Sequence, residues 1–264
     1  MTWTTQPRSR SGQLAAIIKG TGPKVLLIHG VGLRAEAWTA QVDALAKDCH
    51  VTAVDMPGHG ESSRLSEGPQ GTGPGLAGYT DAIVAILDEP AVVIGHSFGA
   101  MIALDMATRH PGKVVAVAAL NAIFQRDTAA KADVRARAES LDGVTVADPT
   151  STLNRWFGSD TSAERDACQG WLCEVNARGY RDAYRVFASR DGPSEEALRS
   201  LHCPALFLTG ADEPNSTPDM SRRMAALAPK GRAEILPGAA HMLPMTHAAQ
   251  VNEILKHFIQ DIAK

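Results

Sequence analysis

The chain has 264 residues, with 26 Lys and Arg against 29 Asp and Glu and a formal net charge of −3. A hydrophobic fraction of 44% beside 21% charged residues is globular composition, enough for one large domain or one domain with an inserted piece. A pI near 6.3 removes the whole-chain electrostatic case for nucleic-acid binding, and no apolar run approaches the ~20 residues of a membrane span.

The first ten residues are basic, but the apolar stretch over 14–18 is shorter than the roughly 7–15 residues of a signal h-region. A cytoplasmic protein with no membrane partner is expected. Cys49, Cys168, Cys173 and Cys203 form no Cys-x-x-Cys pair and no zinc spacing, so they read as reduced, mostly buried thiols and not as a disulfide framework or metal site.

Along the chain, apolar β-branched runs predict strands over 14–19, 24–29, 50–55, 91–95, 114–120, 205–209 and 233–236. Segments of helical period fall between them, over 36–47, 79–88, 98–109, 218–227 and 248–262. This alternation is that of an α/β fold with a mostly parallel twisted sheet flanked by helices. Runs such as Val25-Leu26-Leu27-Ile28 and Ala91-Val92-Val93-Ile94 lack polar alternation, as expected of strands covered on both faces.

Two regions break the rhythm, and there is no internal repeat. Residues 57–78 hold seven glycines and three prolines and read as a long loop of functional or mobile character. Over 122–200 the strand signals vanish, and helices are expected over 127–141, 151–157, 162–177 and 181–189. That stretch carries seven of the chain's 13 aromatics, among them Trp156, Trp171, Tyr180, Tyr184 and Phe187. It reads as a helical cap at 122–200 inserted between core segments at 1–121 and 201–264.

Gly95-His96-Ser97-Phe98-Gly99 follows an apolar strand and opens a helix. In that context Gly-x-Ser-x-Gly is a sharp turn that lifts its serine above the sheet edge, and the glycines keep strand and helix from clashing. Serine needs a base to become nucleophilic. His241, just past the last strand, is the best placed of nine histidines; His247 is second, His96 reads as structural, and His257 reads as a helix-face residue. A carboxylate must orient the imidazole, and the loop Gly210-Ala211-Asp212-Glu213-Pro214 offers two adjacent acids, Asp212 and Glu213.

With these motifs in order, the chain resembles the α/β-hydrolase superfamily over nearly its whole length. His29-Gly30-Val31-Gly32, Asp55-Met56-Pro57-Gly58-His59-Gly60-Glu61-Ser62, the Ser97 turn, the acid loop and His241 follow the family's order of serine, acid and histidine. The resemblance implies an α/β-hydrolase fold with an inserted cap. It usually places an aspartate three residues after the loop glycine; that position here is Glu213, an acid also accepted on this fold, with Asp212 one residue earlier as the runner-up. It also implies an oxyanion hole from the backbone N–H groups of Phe98 and Val31. The expected activity is a cofactor-free serine hydrolase of a small carboxylic ester or lactone, working through an acyl-enzyme on Ser97. A carbon–carbon bond hydrolase of ring-cleavage products, a lyase or a small-molecule receptor on the same fold would carry the same residues.

The substrate is less legible. Trp156, Trp171 and Tyr184 are candidate pocket walls for a small, largely apolar group, or else the cap's own core. Arg34, just past the oxyanion loop, could meet a substrate carboxylate, or be a solvated surface residue. Gly20-Thr21-Gly22-Pro23-Lys24 lacks phosphate-loop spacing and reads as a turn. Gly71-Thr72-Gly73-Pro74-Gly75 follows no strand and is no dinucleotide fingerprint, so neither cofactor nor metal is implied.

Overall fold

The structure, a computed structural model, describes residues 3–66 and 73–262. In chain order these form β1 (Ser9–Ser11), β2 (Leu14–Lys19), β3 (Lys24–Ile28), a 3-10 turn Ala35–Trp38 running into α1 (Thr39–Leu45), β4 (His50–Val54), α2 (Leu76–Val84), β5 (Ala91–His96) and α3 (Phe98–Arg109). Then come β6 (Val114–Leu120), α4 (Thr128–Ser140), α5 (Thr150–Phe157), α6 (Ala163–Glu174), α7 (Ala177–Ser189), α8 (Glu195–Arg199), β7 (Ala205–Gly210), α9 (Pro218–Leu227), β8 (Gly231–Leu236), α10 (Leu243–Thr246) and α11 (Ala248–Ile262).

Among the described residues the strands make one eight-stranded sheet in the order β1-β2-β4-β3-β5-β6-β7-β8. β1 pairs antiparallel with β2 and β2 antiparallel with β4, and every pair from β4–β3 to β7–β8 is parallel. The α/β fold class and mostly parallel sheet read from the sequence are present. β3 shows why its apolar run is continuous. Leu26 and Ile28 enter the core with α2 and α3, while Val25 and Leu27 enter the opposite core with α1 and α11. A strand buried on both faces has no position for a polar residue.

Several elements differ from expectation. β1 had no apolar signal, because Ser9-Arg10-Ser11 is held by antiparallel pairing to Leu14–Ala16 at the sheet edge. α2 starts three residues earlier than expected and ends at Val84. The five-residue α8 was not expected; its Ser194 N-cap accepts from the Ala197 N–H. Residues 67–72 of the glycine-rich stretch lie outside the described residues, and with them the beginning of the Gly71–Gly75 run. Gly20 and Gly22 turn β2 into β3 with φ of +80° and +116°, as a turn requires.

β3 and β5 are sheet neighbours, although β4 lies between them in sequence and pairs with β3 from its other side. That reversal of winding opens a crevice at the strands' carboxyl ends. The register pairs Ile28 with Gly95, which sets the His29–Gly32 loop beside the Ser97 turn. α4 to α7 lie between β6 and β7, with α4 packed on α7 and α5 on α6. Asp127, Ser162 and Asn176 cap three of these helices by accepting a backbone N–H, the usual remedy for unpaired amides at a helix start. Their shared core includes Leu33 and Ala37 after β3 and Met242 and Met245 after β8, so the insertion is seated on the strand-end loops.

Candidate active site

Ser97 is the single residue between β5 and α3. Its φ of 57° and ψ of −116° are strained for a residue with a side chain. The surroundings impose this: its N–H donates to the Leu120 carbonyl at 2.9 Å, and its carbonyl accepts from Ala100 and Met101 at 3.0 and 3.3 Å. A Cβ on Gly95 would overlap the Gly99 carbonyl oxygen, and one on Gly99 would overlap that of Ile28. Strand and helix therefore meet at backbone contact, which only glycine allows.

His241, between β8 and α10, lines the same cavity as Ser97. Its Nδ1–H donates to Glu213 Oε2 at 2.7 Å, which leaves Nε2 as the ring's acceptor. The other carboxylate oxygen, Oε1, accepts the Asn215 and Ser216 N–H groups at 2.8 and 3.2 Å. Burial works to raise the Glu213 pKa, but the His241 charge, its hydrogen bond and the two N–H donors outweigh it and hold the carboxyl down at about 2. Glu213 is 2% exposed. Asp212 is exposed, with its N–H turned to the Ala239 carbonyl. Of the two acids, the structure brings Glu213 onto the histidine.

The His241 carbonyl is held as firmly as the ring. Asn121 Nδ2 donates to it at 2.6 Å and His96 Nε2 at 2.8 Å. Asn121, itself at a φ of 48°, accepts through Oδ1 from Thr209 Oγ1 at 2.8 Å. The ends of β5, β6, β7 and β8 are thus tied together beneath the histidine. Sequence reasoning missed Asn121; its place directly after β6, on the sheet's carboxyl edge, was the available signal.

The His29–Gly32 loop completes the floor. Buried His29 donates from Nδ1 to the Gly30 carbonyl at 2.7 Å and accepts the Met56 N–H at Nε2 at 2.9 Å. Burial keeps it neutral, with its pKa pulled down to about 4. A Cβ on Gly30 would stand 3.1 Å from the Ser97 Cβ, so glycine brings this backbone against the nucleophile position. Among the described residues, neither the Val31 N–H nor the Phe98 N–H meets a backbone or side-chain acceptor. The Phe98 N–H is also the first of α3, at the positive end of the helix dipole.

Asp55 fastens this loop to the sheet. It accepts the Ala35 and Glu61 N–H groups at 2.8 and 2.9 Å and pairs with Arg8 Nε at 2.8 Å. Gly60 is required there because a Cβ would overlap the carboxylate. Arg8, in the stretch read only as basic, bridges Asp55 and Glu36 while 2% exposed. Arg34 belongs to this network too. Its Nε donates to Glu36 Oε2 at 3.0 Å; it is half-buried and does not line the Ser97 pocket, so it is neither the substrate contact nor the fully solvated residue expected.

The cavity at Ser97 and His241 is about 80 Å³. Trp156 lies nearly parallel to the His241 ring, 20° off at 5.6 Å between centroids, and Tyr180, Tyr184 and Phe187 join it on the wall. Trp156 and Tyr184 therefore both pack and line. Trp171 does not line this pocket; it sits edge-on to Trp3 within the insertion's core. His247 ends α10 and His257 is exposed on α11. The described residues contain no cluster of three or more metal-ligating side chains and no helix long and apolar enough to cross a membrane.

The alpha/beta hydrolase family model matches residues 25–254. The chain belongs to that family. It is 36% identical to the (E)-2-((N-methylformamido)methylene)succinate hydrolase of Acinetobacter baylyi, over 92% of each chain. It is 29% identical to the pimeloyl-[acyl-carrier protein] methyl ester esterase of Chromobacterium violaceum, over 86% of this chain and 91% of that one. Among solved structures it is similar in fold to a thermophilic esterase from Thermogutta terrifontis, with a TM-score of 0.84, 22% identity and coverage of 95% and 94% of the two chains.

Proposed function

We propose that this α/β-hydrolase is a cofactor-independent serine hydrolase that cleaves a small acyl compound, an ester or lactone, through an acyl-enzyme on Ser97. One observation carries the reading: a serine strained above a helix N-terminus shares its pocket with a histidine whose Nδ1–H is held by a buried, ionised glutamate. In the reaction, Ser97 Oγ bonds to the substrate carbonyl carbon while its proton passes to His241 Nε2. The carbonyl oxygen gains the displaced electron pair and accepts the Phe98 and Val31 N–H groups. The bond to the leaving oxygen then breaks, and His241 returns the proton to it. Water repeats the sequence on the acyl group, giving its proton to His241 and releasing the acid with Ser97 restored. Glu213 keeps the imidazole in one tautomer and balances its charge.

A second reading is favoured by the relative that acts on a formamido-substituted methylenesuccinate. The same residues would then attack an amide carbonyl and protonate a leaving nitrogen. A burst of 4-nitrophenol equal to the enzyme concentration, from a 4-nitrophenyl ester, tests the acyl-enzyme common to both readings. A fluorophosphonate probe should label the protein once, at Ser97; labelling elsewhere overturns the proposal.

A further inference from the structure

Beside the Ser97 pocket lies a larger cavity of about 350 Å³. The two share Val134, Arg155, Tyr184, Phe187 and Asn215 as lining. The larger one adds Arg126 and Arg137, and each guanidinium lies over one of the shared rings. Arg126 is 4.5 Å from the Phe187 centroid and Arg137 is 5.5 Å from that of Tyr184.

Neither arginine is fully satisfied within the protein. Arg126 is 6% exposed; its Nη1 donates to the Arg190 carbonyl at 2.8 Å and lies 3.7 Å from Asp191, a carboxylate that Lys131 holds at 2.8 Å. Its buried Nη2 has no hydrogen-bond partner. Burial draws its pKa down to about 10 against the pull of Asp191. Arg137 reaches only the hydroxyls of Ser151, Thr152 and Tyr180, and its buried Nε has no partner. Among the described residues no carboxylate pairs with it. Two acids also line the cavity: Asp127 accepts the Ala130 N–H as a helix cap, and Asp133 is exposed; neither forms an ion pair with either arginine.

A cation whose counter-charge is shared or missing is costly to bury. Arg126 shares Asp191 with Lys131, and half-buried Arg137 pairs with no carboxylate among the described residues, so the two lining one cavity beside a nucleophile call for an anion. Both guanidiniums line the cavity, and the planar N–H edge of a guanidinium suits the two oxygens of a carboxylate. We propose that this cavity seats a carboxylate of the substrate on Arg126 and Arg137, so that the protein acts on acyl compounds bearing an acid group remote from the carbonyl attacked by Ser97. The assignment of the substrate class rests on the reading of Ser97 as nucleophile; the anion site itself does not.

The test compares the 4-nitrophenyl monoester of glutaric acid with neutral 4-nitrophenyl valerate. The wild type should favour the acid by about 10- to 100-fold in kcat/KM, the worth of one or two charged hydrogen bonds. In Arg137→Gln and Arg126→Gln that ratio should fall toward one. If Arg126→Gln does not fold, Arg137→Gln, on a half-buried surface helix, carries the comparison. A wild type that prefers the neutral ester, or variants that keep the preference for the acid, overturn the proposal and leave the hydrolase reading intact. If neither ester turns over, the hydrolase reading fails and calorimetry with glutarate decides the site. Binding about tenfold weaker in Arg137→Gln than in wild type supports it, and equal binding overturns it.

Discussion

Ser97 and Trp156 stand on one pocket, but they reach it by different physical routes. The turn at Ser97 is dictated within a few residues. Strand, two glycines and a helix start leave one backbone path, and the strain at Ser97 is over-determined by bonds to Leu120, Ala100 and Met101. The insertion is dictated from far away. Trp156 and Trp171 sit on neighbouring helices of the insertion, and only the packing of α5 and α6 onto the strand-end loops puts one over His241 and the other against Trp3. On the proposed reading, chemistry is built on the rigid, locally coded part, and selectivity on the part whose side chains are sorted by tertiary contact.

The sharpest way to break this contrast is at the turn itself. Ser97→Ala should lower kcat by about 10⁴–10⁶ without unfolding the protein, since it removes the nucleophilic oxygen and relieves no packing. Ester hydrolysis with circular dichroism checks both halves, and full activity in the variant would refute the assignment. Next comes the acid. Glu213→Gln should cost about 10⁴ in kcat, because the amide can present a donor to Nδ1 and the wrong tautomer results. Asp212→Asn, on an exposed side chain, should stay within a few-fold of wild type. The reverse ranking would show that the observed hydrogen bond is not the functional one.

Acid sharpens the comparison through stability. His29, His59 and His96 are buried beneath the pocket, and burial first of all draws their pKa values down to about 4, 3 and 3, whereas residues 122–200 contain no histidine. Unfolding frees these imidazoles to bind protons near pH 6.5, so below that pH the unfolded state holds more protons and stability rises with pH. Their contribution is complete above about pH 6.5 and lost as pH falls toward 4 and then 3, roughly 3 kcal/mol for His29 alone. Urea titrations at pH 7.5 and 5 should show the loss, and hydrogen exchange should place it in the sheet. Equal stability at both values would mean that these rings titrate in the fold.

The smallest effects lie in the insertion. Trp171→Phe should cost stability by about 1–2 kcal/mol through a partial cavity and leave the ranking of a panel of acyl esters unchanged. Trp156→Phe should reorder that ranking by a few-fold at similar stability. The same outcome for both would erase the distinction between lining and packing.

Most of the sheet was legible because parallel strands covered on two faces admit only apolar residues, and Val25–Ile28 and Ala91–Ile94 have no other reading. β1 was not, because Ser9-Arg10-Ser11 owes its extended form to pairing along β2 and has no pattern of its own. The role of Arg8 was hidden for a related reason: a basic residue near the N-terminus looks solvated until Asp55 and Glu36 are folded around it. Arg34 was misjudged in the same way, since its partner Glu36 is two residues along but turned to it only by the loop that Asp55 holds.

The sequence by itself determined the strand order of the chemistry: a serine on a glycine-flanked turn, then an acid loop, then a histidine after the last strand. It could do so because backbone sterics and two-faced burial act over a few neighbouring residues. Spacing favoured Glu213 over Asp212, but tertiary structure alone decided that Asn121 holds the histidine loop, and that Trp156 lines the pocket while Trp171 packs. It also decided that Arg126 and Arg137 share a cavity with no full counter-charge. Those outcomes depend on where side chains from distant segments point once the chain has closed on itself, and neither period nor spacing encodes that direction.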